Sequence, residues 1–337
     1  KYTKSNYMKT KLFSVSIMLA FVCLSNISFA KVWRLNNNAG IDADFVNFTS
    51  AQTAATNGDT IYVEGSPASY GNITISKQLV IIGTGYFLTE NPQTQANLNS
   101  AKLGTVTFNN GSSETLLTGF ELTGTITINV GTIKIIRNRT KAININSSSS
   151  IGNILISQNY INGSITNSSG SSQVFNLIIS NNIIGCGLYC DNIGLGANYS
   201  GAVSNNIFIS GDNNVSNFIF SNNIMTCCSI NLSNNTFFNN ICNASQIPAN
   251  NGNQQNINMA DVFVGASGNS TDGQYQLKNG SPAIGAGNEG TDCGIFGGVT
   301  PYVLSGMPEI PAVYEINMPS TGTTGNGINV TVKAKAH

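Results

Sequence analysis

Charged residues are scarce in this chain of 337 residues: Asp, Glu, Lys and Arg make up 9% of it, roughly a third of the usual share. No Lys or Arg occurs between Ala142 and Leu277. Nucleic-acid binding needs cationic side chains that displace phosphate counterions, so that class of partner is excluded. Histidine is confined to His337, remote from Cys186 and Cys190. Those cysteines therefore lack the partners of a zinc site, and no metal is expected. Long apolar runs are also missing, and the stretch from Leu12 to Leu24 is too short to span a bilayer comfortably. Low charge with low hydrophobicity can signal disorder. Here the apolar residues are β-branched and grouped in short runs, the pattern of a chain that buries a core.

The first apolar stretch has its own reading. Met8-Lys9-Thr10-Lys11 is a basic start, Leu12 to Leu24 an apolar centre, and Ser28-Phe29-Ala30 a small-x-small cleavage site. Residues 1–7 precede Met8 and read as upstream translation. The expectation is a secreted protein (extracellular, at the cell surface or periplasmic) that begins at Lys31 and has no membrane span once the leader is cut. Loss of Lys1, Lys4, Lys9 and Lys11 leaves eleven basic residues against fifteen acidic ones. Six cysteines remain: Cys186, Cys190, Cys227, Cys228, Cys242 and Cys293. In an oxidising compartment they are expected as disulfides of unknown pairing or as buried thiols.

What the chain does have is a returning asparagine. Asn138, Asn159, Asn182, Asn206, Asn223 and Asn240 follow at intervals of 21, 23, 24, 17 and 17 residues. The first five adjoin strand-like apolar runs, as in Asn153-Ile-Leu-Ile-Ser-Gln-Asn159 and Asn217-Phe-Ile-Phe-Ser-Asn-Asn223. Self-similarity at this period predicts a solenoid in which each repeat is one coil. A second strand type alternates a central Ile or Val with small polar residues: Asn72-Ile-Thr74, Thr105-Val-Thr107, Thr125-Ile-Thr127, Ala142-Ile-Asn144 and Ser164-Ile-Thr166. Regular Thr-x-Thr rows can order water at an ice surface. This row degrades to Ala142-Ile-Asn144 and, by repeat alignment, to Gly187-Leu-Tyr189, so it reads as ordinary exposed strand. The asparagines, placed at the corner after each apolar strand, are expected to form an internal ladder of amide hydrogen bonds.

The predicted fold is all-β, a parallel β-helix with a short amino-terminal capping helix and a carboxy-terminal strand or hairpin tail. Residues 1–30 are the upstream residues and leader, 31–60 the cap, 61–298 the β-helix, and 299–337 a Pro- and Gly-rich tail with terminal strands. Helical spacing of Val46, Phe48, Ala51, Ala54 and Ala55 places the capping helix, started by Thr49 or Ser50 and stopped at Asn57-Gly58. The tail is expected to fold onto the last coil as strand, loop and strand, or to serve as an export or attachment signal.

Asp42-Ala-Asp-Phe45, Gly58-Asp-Thr-Ile-Tyr-Val63, Gly280-Ser-Pro-Ala-Ile-Gly-Ala-Gly287 and Asp292-Cys-Gly-Ile-Phe-Gly-Gly298 resemble segments of secreted right-handed parallel β-helix proteins. These are the pectin-lyase-like superfamily, particularly its bacterial members from Bacteroidetes. The resemblance covers roughly residues 40–298 and implies a fold more than an activity, because that superfamily includes lyases, hydrolases, adhesins and inert scaffolds. Its lyases pair Ca²⁺-holding acids with an Arg or Lys base, and its hydrolases place several Asp on adjacent coils.

No paired-Asp motif of the hydrolase type is present. Asp191 and Asp212 read as loop residues without a basic neighbour in sequence. The one mixed-charge cluster is Glu121 with Lys134, Arg137, Arg139 and Lys141. Repeat alignment puts Glu121 in the column of Asn138, where it would meet Arg139 across coils. Substrate-binding candidates are therefore Glu121, Arg137, Arg139 and Lys141, with Tyr189 and Asp191 as a second contact and Tyr199 beside them. Phe208, Phe218 and Phe220 are read as core. No catalytic residue is assigned. The expected function is a non-catalytic glycan- or surface-binding or structural protein whose partner is an extracellular polysaccharide or cell-surface component, without a cofactor. The alternative is a pectate-lyase-like enzyme on an acidic extracellular polysaccharide, and Ca²⁺ enters only there.

Overall fold

The computed structural model describes residues 30–167, 172–185, 191–226, 229–322 and 327–336. Residues 1–29, where a leader is expected, lie outside them, as do Cys186, Tyr189, Cys190, Cys227, Cys228 and His337. Val32–His337 is one compact unit, a parallel β-helix.

Among the described residues, three sheets of ten, eight and seven strands run through this unit. The first sheet starts at Val32–Leu35 and ends at Thr236–Phe238; the second joins Lys102–Leu103 to Ile241–Cys242; the third joins Ile73–Ile75 to Asp212–Asn214. One coil shows the plan: Ile151–Ser157, then Tyr160–Ile161, then Ile165–Asn167, each paired in parallel with its counterpart one coil away. The sequence displays two strand types per coil and the structure has three. The extra strand is only two to four residues long and follows the ladder asparagine directly, so it merges with the apolar run in the sequence.

Alternation sends every second residue inward, and the register stacks like on like. Ile135, Ile156, Ile179 and Val203 occupy successive strands of one column, all fully buried. Phe220 and Phe237 continue it with rings stacked 5.3 Å apart. Each such side chain contributes roughly 1.5–3 kcal/mol by leaving water. Phe208, Phe218 and Phe220 are core residues.

Both ends of this stack are closed. At the amino end a helix, α1 (Phe48–Ala54), buries Phe48 and Ala51, with Asn47 rather than Thr49 or Ser50 as its cap. The Asn47 side chain accepts from the Ser50 amide, in the first turn of the helix, at 2.9 Å. Lys77 Nζ donates to the carbonyls of Gln52 and Ala55 near the helix end. At the other end the amides of Asn251 and Asn253 donate to the Phe237 carbonyl, standing where a further strand would pair.

The chain beyond the last coil departs from expectation. Residues 283–307 do not close the helix where it ends but run back along it. The tail then forms an antiparallel hairpin of Ala312–Asn317 with Thr331–Lys335. It meets the unit at a loop near its beginning, where the Ala96 amide donates to the Val313 carbonyl, and not on the last coil.

Candidate functional site

The corner between the first and second sheets organises the surface. Its inner column is the asparagine ladder, whose six members are fully buried. The Oδ1 of each of Asn159, Asn182, Asn206, Asn223 and Asn240 accepts from the backbone amide of the ladder residue before it at 2.9–3.0 Å. The ladder runs one step further than the repeat suggests, to Asn253, which accepts from Asn240 at 3.0 Å. It lies only 13 residues on, so the shortened last coil hides it from a search at 17 or more. At the other end Asn138 accepts from the Phe120 amide. Phe120, not Glu121, therefore occupies the ladder position of that coil, because Glu121 pairs in register with Arg139.

The outer column of the corner is the residue before each ladder asparagine: Arg137, Gln158, Asn181, Asn205, Asn222 and Asn239, with φ between 54° and 59°. A left-handed residue makes the sharp turn, and Asn tolerates that conformation best among side chains with a Cβ. The turn aims these side chains outward, where they hold residues 283–307 as a strap. Asn181 donates to the carbonyls of Ile295 and Gly297 at 2.9 and 2.8 Å. Asn205 donates to Asp292 and Gly294, and Asn239 to Ala286. The strap approaches so closely that a Cβ on Gly294 would collide with the Ile224 side chain of the second sheet.

Under the strap lies a second apolar cluster, formed by the outward residues of the second sheet. Tyr160, Ile183, Ile207, Ile224 and Ile241 pack there against Ala283, Cys293, Ile295 and Tyr302. Cys293 and Cys242 are buried free thiols, each pushed up to about 12 by burial. They are inert at neutral pH.

Between the strap and the outer face of the first sheet opens a groove of about 850 Å³. Its floor carries Ser180, Ser204 and Ser221 in register on adjacent strands. Ile178, Ile219 and Phe238 stand exposed beside them, and Val299 with Glu289 comes from the strap. Glu289 is the one ionisable side chain among the described lining residues.

The charged candidates are divided among other places. Glu121 and Arg139 form an ion pair at 2.5 Å, with the Arg139 guanidinium 4.9 Å above the Phe87 ring. Lys141 is exposed. Arg137 leaves this patch altogether: its side chain is 8% exposed and donates to Gln158, the Met307 carbonyl and Glu309. Asp191 and Asp212 are not loop residues; they begin adjacent strands of the third sheet and face each other in register. Burial first, then Asp212, raises the Asp191 pKa, whereas hydrogen bonds from Ser229 lower that of Asp212. Tyr189 lies outside the described residues, and Tyr199 is buried rather than exposed. The third-sheet row continues after Thr166 with Gly194, not with Gly187-Leu-Tyr189. No cluster of three His, Cys, Asp or Glu able to hold a metal occurs among the described residues.

No family model matches this chain, and neither a curated protein nor a solved structure shows significant similarity to it.

Proposed function

We propose that this protein is a secreted, non-catalytic β-helix of the pectin-lyase-like type that binds an extended, uncharged glycan in the groove between the strap and the first sheet. The observation that carries this reading is the groove floor. Three serine hydroxyls repeat there once per strand, about 4.8 Å apart, a spacing close to the length of one hexose unit. Exposed Ile178, Ile219 and Phe238 offer apolar contact to sugar ring faces beside that row.

Chemistry on a glycosidic bond needs two groups, commonly two carboxylates about 5–9.5 Å apart. The groove offers Glu289 alone among its described residues. The lyase alternative has less support. Asp191 and Asp212 stand together, but their surroundings are Asn213, Asn214, Ser229 and Asn231 without a basic group among the described lining.

The test is retention of the secreted form on immobilised neutral and acidic polysaccharides, with and without Ca²⁺, alongside an assay for new reducing ends. Retention on a neutral polysaccharide, lost in Ile219→Asp and without new ends, is the expected result. New reducing ends, or retention unaffected by Ile219→Asp, would refute the reading.

A further inference from the structure

Towards the amino end of the same sheet face lies a smaller cavity of about 250 Å³, apart from the groove. Ile82, Thr118 and Ile136 stack in register along its floor, and Leu116 and Ile310, just beyond the strap, close its sides. One wall is polar, formed by Arg137 and Glu309.

That pair is lopsided. Arg137 is 6% exposed, whereas the Glu309 side chain is 76% exposed. Two of the guanidinium donors are committed to buried protein acceptors, Nε to Gln158 and Nη1 to the Met307 carbonyl. Nη2 alone goes to Glu309, at 2.9 Å. Burial lowers the pKa of Arg137 and Glu309 offsets this only in part, so Nη2 favours an anion. A carboxylate so exposed contributes little by holding that position, and a ligand carboxylate that also buries an apolar tail can replace it.

We propose that this cavity binds a short aliphatic monocarboxylate, its carboxylate on Arg137 Nη2 in place of Glu309 and its tail against Ile82, Leu116, Ile136 and Ile310. The volume equals the liquid share of about eight water molecules, which matches a tail of four or five methylenes with its carboxylate. A charge-assisted hydrogen bond from Nη2 favours a carboxylate over a hydroxyl.

The experiment is titration of the protein with sodium hexanoate and, separately, hexan-1-ol, followed by calorimetry and by the methyl NMR signals of the isoleucines. Hexanoate should bind at least tenfold more tightly than hexanol and shift Ile82, Ile136 and Ile310 selectively. Glu309→Ala removes the competing carboxylate from an exposed position, and its thermal midpoint checks that it is folded. It should tighten hexanoate by about two- to fivefold and leave hexanol unchanged. Arg137→Gln should cost hexanoate at least tenfold. Absence of hexanoate binding, equal binding of the alcohol, shifts elsewhere, or weaker binding in Glu309→Ala would each overturn the assignment.

Discussion

Asn159 gives two hydrogen bonds to one atom of Asn182: its backbone N–H at 2.9 Å and its side-chain amide at 3.0 Å both reach Asn182 Oδ1. The same amide also donates to the carbonyls of Ile135 and Ser157. Each ladder side chain from Asn138 to Asn240 thus ties together three coils at a corner from which water is excluded.

Replacing Asn182 with Leu leaves both Asn159 donors short of their shared acceptor and frees the Ile156 carbonyl that Asn182 now serves. An unpartnered buried group costs about 1–3 kcal/mol, so Asn182→Leu should destabilise the fold by about 2–5 kcal/mol. The denaturant midpoint measures this. Glycan retention in the folded fraction should be unchanged, since the ladder does not reach the groove. A midpoint shift of a few tenths would mean that the ladder is ornamental to stability.

The strap supplies a second test. Asn181 has φ 54° and binds the strap through both amide protons. Asn181→Gly keeps the backbone relaxed and deletes only these bonds, whereas Asn181→Ala adds a left-handed strain of about 1–2 kcal/mol. Both variants should accelerate hydrogen exchange at Gly294, bonded to Asn222, and at Tyr302, bonded to Ile295. The alanine variant should also have the lower midpoint. Unchanged exchange in both would show that the apolar cover alone holds the strap.

The contrast between ladder and strap explains what the sequence discloses. Asn159, Asn182 and Asn206 repeat because each coil presents the same corner, and a repeated constraint leaves a period. The strap is used once, so Gly294 or Ile295 has no counterpart to align with. It meets the turn asparagines through its own backbone carbonyls, which any residue supplies. A clue was nonetheless written twice over. The doublets Asn181-Asn182, Asn205-Asn206, Asn222-Asn223 and Asn239-Asn240 pair a turn-forming residue with a ladder residue. The Ile that follows each of them points out of the coil, and apolar residues facing out of a solenoid call for a cover. Arg137 occupies the turn position in a coil where the charge pattern suggested a surface patch, which is why its burial was not foreseen. Asp191 and Asp212 were hidden differently, because a bulged register between their strands interrupts the alternation that marks a strand.

Those two aspartates should pull stability in opposite directions. The Asp191 pKa is raised on folding, so the folded state holds its proton more tightly. Stability is therefore lost as pH rises from the unfolded value, about 3.9, through the folded one. Asp191→Asn should stabilise the protein at pH 7, with the gain vanishing in acid below about pH 3. Asp212 is held low, so its contribution is present at neutral pH and disappears as pH falls through its folded value. Asp212→Asn should destabilise at pH 7 and converge on the parent in acid. Thermal midpoints at pH 3, 5 and 7 decide the matter, and parallel profiles for both variants would contradict it.

At the far end of the strap, two phenols make an alkaline counterpart. Tyr86 and Tyr302 meet at 2.7 Å, and Tyr302 and the Ser305 amide donate to the fully buried Asp272. Burial pushes both phenols well above their ordinary range, with Asp272 adding to the rise. Above about pH 10 the unfolded chain releases these protons while the folded chain keeps them, so stability falls as pH rises. Tyr302→Phe removes a donor from Asp272 and strands the Tyr86 hydroxyl, at a cost of about 1–3 kcal/mol near neutrality. Replacing both tyrosines with Phe removes both alkaline contributions and leaves only Asp272 short of a donor. Urea midpoints at pH 7, 9 and 11 should therefore show a shallower alkaline decline for the double variant than for the parent. An equally steep decline would mean that the pair ionises in place, with water reaching a contact that the packing of Tyr86 and Tyr302 now closes.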